Sequence, residues 1–372
     1  MIIIQLAGGL GNQMFQYALY LQLKSLGKDV KMDDRTGFEH DLQRTPALAP
    51  FGIAYETATA EELECMLDAS LRMRDRIRRK LRGRNKKAYF EADKRYKPEI
   101  LSWDDIYLEG YWQTEKYFSG VSAEVREAYD VERLLRYIRT HACRNGCGCA
   151  TADGGEPEGK EPSGAKQTAP LFEKYLAQIT SEESVSVHIR GGDYLLPENR
   201  ELFGGICTAA YYREAMAGMR REHPGCTFYI FTNDKQRIRE QIARAACAAD
   251  DETGAANMDA VVNAGLAGDT HAAEITDSIV IVDMTAETEV AAGQRDYAEF
   301  VLMSRCRHHI LANSSFSWWA SYLHDDPHKT VYAPDRWLNG WDCSDFYRED
   351  MQKIMSAERD DNGETEETIV HE

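Results

Sequence analysis

Arg190 stands at a position where the chain could hold an anion. Val185, Val187 and Ile189 alternate with polar residues in the run before it, and this period predicts a strand that ends beside the arginine. Ligands of open α/β sheets bind at the carboxyl ends of strands, and a planar guanidinium meets phosphate oxygens two at a time. The segment Ser184–Leu195 therefore predicts a phosphate site; a surface turn with a salt bridge is the alternative.

The residues beside Arg190 extend this interpretation. Gly191 and Gly192 let the backbone approach a ligand because no Cβ stands in the way. His188 either hydrogen-bonds the phosphate or only ends the strand. Asp193 orients the guanidinium, accepts from a sugar hydroxyl or acts as a general base; in the alternative, the reacting hydroxyl loses its proton late and no base is committed.

The amino terminus has the pattern of a βαβ unit. Met1–Leu6 predicts a buried strand, a glycine-rich turn follows, and Asn12 is expected to open a helix, where it serves as an N-cap or faces a ligand. Asp29–Met32 predicts the second strand. Met14 replaces the third glycine of a dinucleotide fingerprint, so an NAD-dependent oxidoreductase is an alternative that only this start of the chain favours.

Strands and helices alternate in the second half, and this alternation predicts a mainly parallel sheet. Just past the predicted strand Thr227–Phe231, Asn233 and Asp234 either accept hydrogen bonds from ribose hydroxyls or a guanine edge, or cap the next helix. In NSSFSWW a helix begins near Ser315, and its free N–H groups and hydroxyls form an anion site. The predicted strands are Val185–Ile189, Thr227–Phe231, Ser278–Val282, His309–Ala312 and Thr330–Tyr332.

Four segments together resemble one enzyme family. They read MIIIQLAGGLGNQMFQYA, EGYWQTEKYF, SVSVHIRGGDYL and FVLMSRCRHHILANSSFSWWASYL, in this order along the chain. In them the chain resembles the bacterial α-1,2-fucosyltransferases of glycosyltransferase family eleven. The resemblance implies an α/β fold of the GT-B type, with two Rossmann-like domains whose parallel sheets face a cleft.

The resemblance also implies roles for particular residues. Arg190, Asp193 and Asn12 would be catalytic, and Asn12 would point toward acceptor or donor from the floor of the cleft. Ser314, Ser315 and Phe316 would cradle the diphosphate and the donor sugar opposite Arg190. The full set expected to bind substrate is His188, Gly9, Gly11, Gln13, Asn233, Asp234, Asn313, Ser314, Ser315 and Phe316.

The activity that the resemblance implies is transfer of L-fucose from GDP-β-L-fucose to the 2-OH of a terminal β-galactoside, with inversion; another GDP-sugar or another linkage is the nearer alternative. No cofactor is expected, because the family is taken to be metal-independent and the sequence has no DxD-like pair. The family usually has two successive arginines in HxRRGD, whereas Gly191 stands at the second position here. Donor affinity would then be weaker, or another basic residue would replace the missing arginine.

Composition limits the function classes. The 372 residues, 43% of them hydrophobic, suffice for two domains, and the net charge of −18 argues against a general nucleic-acid binder. The nine cysteines and the absence of a signal peptide or apolar anchor lead us to expect a cytoplasmic protein with reduced thiols. The predicted divisions are residues 1–143 as the acceptor-side domain, 144–168 as a flexible insertion, 169–350 as the GDP-sugar domain and 351–372 as a mobile acidic tail.

Three features remain open. The helical stretch Glu61–Lys87 is strongly basic from Arg72, so the segment Arg72–Lys87 either touches the inner face of the membrane or forms a solvated face. Cys143, Cys147 and Cys149, near His141, could ligate zinc, although their spacing matches no familiar zinc pattern. The aromatic residues would also suit a non-catalytic sugar-binding protein. Nothing in the sequence predicts an oligomeric state.

Overall fold

The computed structural model describes residues 1–69, 73–82, 86–146, 170–191, 197–240, 279–284 and 292–355. Several predictions therefore concern residues outside this part of the chain. They are the predictions for Gly192 and Asp193, for Arg72 and residues 83–85 of the basic segment, for most of the 144–168 insertion with Cys147 and Cys149, and for the tail beyond residue 355.

The first sheet has four parallel strands in the order β2-β1-β4-β3. Ile2, Ile3 and Ile4 are all 0% exposed, as expected for a strand covered on both faces of a parallel sheet. The strands are β1 (Ile2–Gln5), β2 (Val30–Asp33), β3 (Ala88–Phe90) and β4 (Ile106–Glu109), and the helices of this half are α1 (Leu10–Ser25), α2 (Ala60–Met66), α3 (Met73–Arg82), α4 (Ser122–Ala128) and α5 (Val131–Gly146).

The second sheet has six parallel strands in the order β10-β9-β8-β5-β6-β7. Its strands are β5 (Ser184–Ile189), β6 (Thr227–Thr232), β7 (Ile279–Ile281), β8 (His308–Ile310), β9 (Val331–Pro334) and β10 (Met351–Ile354). Its helices are α6 (Pro170–Ser181), α7 (Pro197–Phe203), α8 (Ala209–Glu222), α9 (Arg295–Arg305) and α10 (Ser315–Leu323), and residues 235–240 are also helical. The predicted α/β fold with two parallel sheets, the GT-B type, is confirmed.

Two boundaries differ from the prediction. β10 pairs with β9 in parallel register, so the second unit continues through Ile354 and the predicted boundary at residue 350 is too early. The expected continuous helix over Glu61–Lys87 is divided into α2 and α3. Asp68, directly after α2, has a φ of 50°, a left-handed conformation that a helix does not continue through.

The two units share one hydrophobic core, which is built around α1 and α10. The Phe15 ring lies 4.6 Å from the Trp318 ring and 4.8 Å from the Trp319 ring, measured between centroids. Both tryptophans are buried, although they are adjacent on the helix. Trp319 Nε1 donates to the Gly11 carbonyl at 3.0 Å and Trp318 Nε1 donates to the Phe346 carbonyl at 2.8 Å, so α10 is enclosed on both sides.

Candidate active site

The edges of the two sheets at which the strands have their carboxyl ends meet where α1 and α10 begin. β1 leads into α1 through a turn with N-cap Gly9, and β8 leads into α10 with N-cap Ser314. A Cβ built on Gly11 would lie 2.5 Å from the Ser315 carbonyl carbon. Gly11 therefore makes room for the other helix, and contact of Gly11 with substrate stays a prediction.

Asn12 joins three of the sequence motifs at this junction. Its Oδ1 accepts a hydrogen bond from Gln113 Nε2 at 2.6 Å and another from Ser315 Oγ at 2.7 Å. Asn12 is not the N-cap that one sequence interpretation proposed, because α1 begins at Leu10 and Gly9 occupies the cap position. Asn12 and Ser315 are both partly exposed where the two helices begin.

Arg190 directly follows β5, at the same edge of the second sheet, and is partly exposed. The next residue is held by a pair of hydrogen bonds: Gly191 N donates to Asn233 Oδ1 at 2.8 Å, and Asn233 Nδ2 donates to Gly191 O at 3.2 Å. Asn233 thus positions the turn that carries Arg190. This role was not predicted, and contact of Asn233 with ribose or guanine stays a prediction.

Asp234 explains why glycine fits at position 191. Its Oδ1 accepts from Arg237 N at 3.3 Å, which supports the helix-capping interpretation for Asp234. A Cβ on Gly191 would lie 2.9 Å from Asp234 Cβ, and its three nearest atoms all belong to the Asp234 side chain. The arginine that the family carries at this position would require Asp234 to move.

His188 lies on β5 beneath the same edge. Its side chain is 5% exposed, and its ring centroid is 5.8 Å from that of Phe316 on α10. Burial, and after it the positive charge of Arg190, lowers the pKa of His188 to about 3. The imidazole is therefore neutral near pH 7, where it can hydrogen-bond a ligand but adds no charge to the site.

Two residues expected to bind substrate make structural hydrogen bonds. Gln13 is 0% exposed: its Nε2 donates to the Gly8 and Thr45 carbonyls, and its Oε1 accepts from Ala47 N. Asn313 is 3% exposed, and its Nδ2 donates to the Trp337 carbonyl. Both carboxamides are buried and hydrogen-bonded within the protein, and their contact with substrate stays a prediction.

Glu91 is a residue that sequence reasoning missed. It is 5% exposed, and its carboxylate accepts from Tyr111 N at 3.0 Å and Trp112 N at 3.2 Å and pairs with Lys94 at 3.0 Å. Trp112 has a φ of 55°, which the Glu91 contacts help to hold. Glu91 thereby positions the turn that carries Gln113 to Asn12. A lone glutamate outside any motif offered no signal for this role.

The described residues contain one group with the composition of a metal site, Glu183, His223 and His308. His308 Nδ1 accepts from Thr330 N at 3.0 Å, so its Nε2 carries the proton and donates to Glu183 at 2.7 Å. A nitrogen that carries a proton is not available to a metal. Glu183 directly precedes β5, whereas Arg190 follows that strand. The group therefore lies at the edge of the second sheet opposite to Arg190.

Comparisons with known proteins agree with this geometry. Residues 172–264 and 280–354 match the model of glycosyl transferase family 11. An α-1,2-colitosyltransferase of Escherichia coli is 23% identical over 361 residues, which cover 93% of this chain and 95% of that protein. Galactoside α-(1,2)-fucosyltransferase 1 of Saimiri boliviensis boliviensis is 28% identical over 139 residues, covering 37% of this chain and 28% of that protein.

Among solved structures, E. coli ADP-heptose LPS heptosyltransferase II is similar with a TM-score of 0.34 and 10% identity, over 89% of this chain and 83% of that chain. The family match includes Arg190 and the whole of α10, which together form the second sheet's side of the candidate site. The near full-length relative extends the similarity to the first sheet. The chain is a glycosyltransferase, and its residues 172–264 and 280–354 match glycosyl transferase family 11.

Proposed function

We propose that this glycosyltransferase transfers L-fucose from GDP-β-L-fucose to the 2-OH of a terminal β-galactoside, with inversion to an α linkage. The observation that carries the proposal is that β5, which ends just before Arg190, pairs with β8, which leads into α10, and that α10 contacts Asn12 through Ser315. The names of the relatives support an α-1,2 linkage, and the primate relative's name supports fucose and a galactoside. The product would belong to a surface glycan or a free oligosaccharide.

The proposed chemistry follows from where charge develops. The bond between fucose C1 and the phosphate oxygen breaks while a bond to the acceptor oxygen forms. Positive charge then builds on the sugar ring and negative charge on the leaving GDP. The Arg190 guanidinium and the N–H groups in the first turn of α10, which have no intrahelical acceptors, stabilise that negative charge.

The remaining residues would orient the reactants. Neutral His188 would hydrogen-bond the sugar nucleotide without competing with Arg190 for the phosphate charge. Asn12, fixed by Gln113 and Ser315, would orient the acceptor or the sugar at the floor of the cleft. Asp193 is the proposed general base, and it receives the proton of the acceptor hydroxyl.

We propose that no divalent metal takes part. A fixed guanidinium and helix-start N–H groups supply the stabilisation of the leaving group that a metal ion supplies in other transferases. Among the residues that the structure describes, the His and carboxylate group of suitable composition lies at the other edge of the second sheet. The transfer should therefore proceed in EDTA.

The test is incubation of the purified protein with GDP-fucose and lactose in the presence of EDTA, with GDP release and product mass followed together. A product heavier by one deoxyhexose residue, with an α-1,2 linkage by NMR, supports the proposal. GDP release without this product would mean hydrolysis or a different acceptor. Restoration of activity by magnesium or manganese alone would contradict the metal-free mechanism.

A second donor follows from the bacterial relative, whose name specifies colitosyl transfer. A nucleotide-linked colitose should be offered beside GDP-fucose in the same assay at equal concentration. A ratio of kcat/KM above about tenfold in favour of one donor decides between them, because tenfold corresponds to about 1.4 kcal/mol of transition-state binding.

A further inference from the structure

Helix α3 carries an apolar stripe on its outer surface. Met73, Ile77 and Leu81 are 74%, 53% and 79% exposed. Their spacing of four residues places them above one another on one face of the helix. Three large apolar side chains in a row on an exposed helix indicate a surface that meets an apolar partner.

The charge around this stripe is opposite to that of the rest of the chain. Residues 72–87 contain ten lysines or arginines and one aspartate, a local charge of +9, so a chain with a net charge of −18 carries −27 elsewhere. Arg74, Lys80 and Lys86 are exposed. Such a charge distribution orients the protein so that α3 faces an anionic surface and the remainder is repelled from it.

The position of α3 leaves the candidate active site open. α3 is followed by β3, and Lys87, next to that strand's first residue, pairs with Asp105 just before β4. Both residues therefore lie at the amino ends of their strands, whereas Asn12 follows the carboxyl end of β1. The α3 surface and the site are at opposite edges of the first sheet, so contact at one does not cover the other.

We propose that α3 lies along an anionic lipid bilayer, with Met73, Ile77 and Leu81 inserted among the head groups. A basic amphipathic helix of this kind binds through apolar burial together with attraction to acidic lipids. Nucleic acid would attract the basic residues, but it would leave the apolar stripe exposed to water, so a bilayer fits this surface better. A second copy meeting the same surface would bring two strongly positive segments together.

The experiment is cosedimentation of the full chain with vesicles of phosphatidylcholine, with and without about 30% phosphatidylglycerol, at low and high salt. We expect binding to the anionic vesicles at low salt. We also expect release as salt rises, because screening weakens the attraction. Failure to bind the anionic vesicles at low salt, or equal binding to both compositions, overturns the proposal.

The variant Met73→Ser/Ile77→Ser/Leu81→Ser keeps the charge and removes the stripe, and it should lower the bound fraction about tenfold. Leu26 and Met355, which are 50% and 70% exposed on other surfaces, supply the control variant Leu26→Ser/Met355→Ser, which should bind like the wild type. Circular dichroism checks that both variants fold. Unchanged binding of the triple variant overturns the insertion.

Two further outcomes would show that the α3 surface binds something other than a membrane, and either would overturn the proposal. One is binding to duplex DNA at the same salt without binding to vesicles. The other is a dimer, measured by light scattering, that the triple variant converts to a monomer. Transferase activity on a soluble acceptor should not change in the triple variant, so a failure of this inference is distinguishable from a failure of the proposed function.

Discussion

Ser315 donates its hydroxyl hydrogen to Asn12 across 303 positions of sequence, with 2.7 Å between Oγ and Oδ1. This bond ties the first turn of α1 to the first turn of α10, and so ties the first sheet's side of the site to the second. The same Oδ1 accepts from Gln113, so one carboxamide oxygen fixes three segments. A change at Asn12 should therefore affect both halves of the site.

Removal of the Asn12 carboxamide should lower both stability and activity. Asn12→Ala leaves two donors without their acceptor, and we expect a loss of about 1–3 kcal/mol in the free energy of unfolding. Ser315→Ala removes one donor and should cost about 0.5–1.5 kcal/mol. Urea denaturation of both single variants and the double variant measures the coupling between the residues. Additive losses would show that the two side chains do not interact.

Arg190→Ala should reduce the rate of transfer about a hundred- to a thousandfold, the effect of losing one preorganised charge contact. Arg190→Lys keeps the charge but loses the planar fork, so its rate should lie between those of wild type and Arg190→Ala. The measurement is single-turnover release of GDP, with the melting temperature as a check on folding. Turnover near that of wild type in Arg190→Ala would exclude Arg190 from the site.

An arginine at position 191, where the family has its second arginine, should lower the stability and the GDP affinity of this chain. In Gly191→Arg the new Cβ would meet the Asp234 side chain at 2.9 Å, and we expect a loss of about 1–3 kcal/mol in stability and weaker GDP binding. Gly191→Arg/Asp234→Gly removes all three nearest atoms and should recover most of the loss. Asp234→Gly is the control, since glycine at an N-cap costs only a few tenths of a kcal/mol. Wild-type stability of Gly191→Arg would contradict the steric explanation.

His188 should make the protein less stable in acid. Burial and the Arg190 charge hold the pKa of His188 at about 3 in the folded chain, well below its ordinary value. As the pH falls below about 6.5, His188 takes up a proton in the unfolded chain but not in the folded chain. Unfolding therefore becomes easier by up to about 1.4 kcal/mol per pH unit until the folded pKa is reached.

His188→Gln removes this contribution to the pH dependence. Its unfolding free energy should fall less steeply than that of wild type between about pH 6 and about pH 4, where only the unfolded wild-type chain protonates His188. The exposed His328 supplies the control variant His328→Gln, which should follow wild type. Parallel curves for His188→Gln and wild type would show that His188 takes its proton equally in both states.

The sequence by itself determined most of the strands, the α/β class and the position of Arg190 at a strand end, because these depend on periods of two to four residues. The buried run Ile2–Ile4 and the alternation before Arg190 are local patterns, and the structure has the strands that they predict. The motifs also predicted which turns form the site. β10 was missed because a four-residue strand at the edge of a sheet has little local pattern.

Tertiary structure decided which motif residues face the cleft. Gln13 and Asn12 are adjacent in sequence, yet Gln13 is buried against main-chain groups and Asn12 meets Ser315, because the face that a helix buries depends on what packs against it. Glu91 gained its role only from the turn that folds over it. Gly11 and Gly191 are glycines because Ser315 and Asp234 occupy the space beside them, and no local pattern records a neighbour that is distant in the chain.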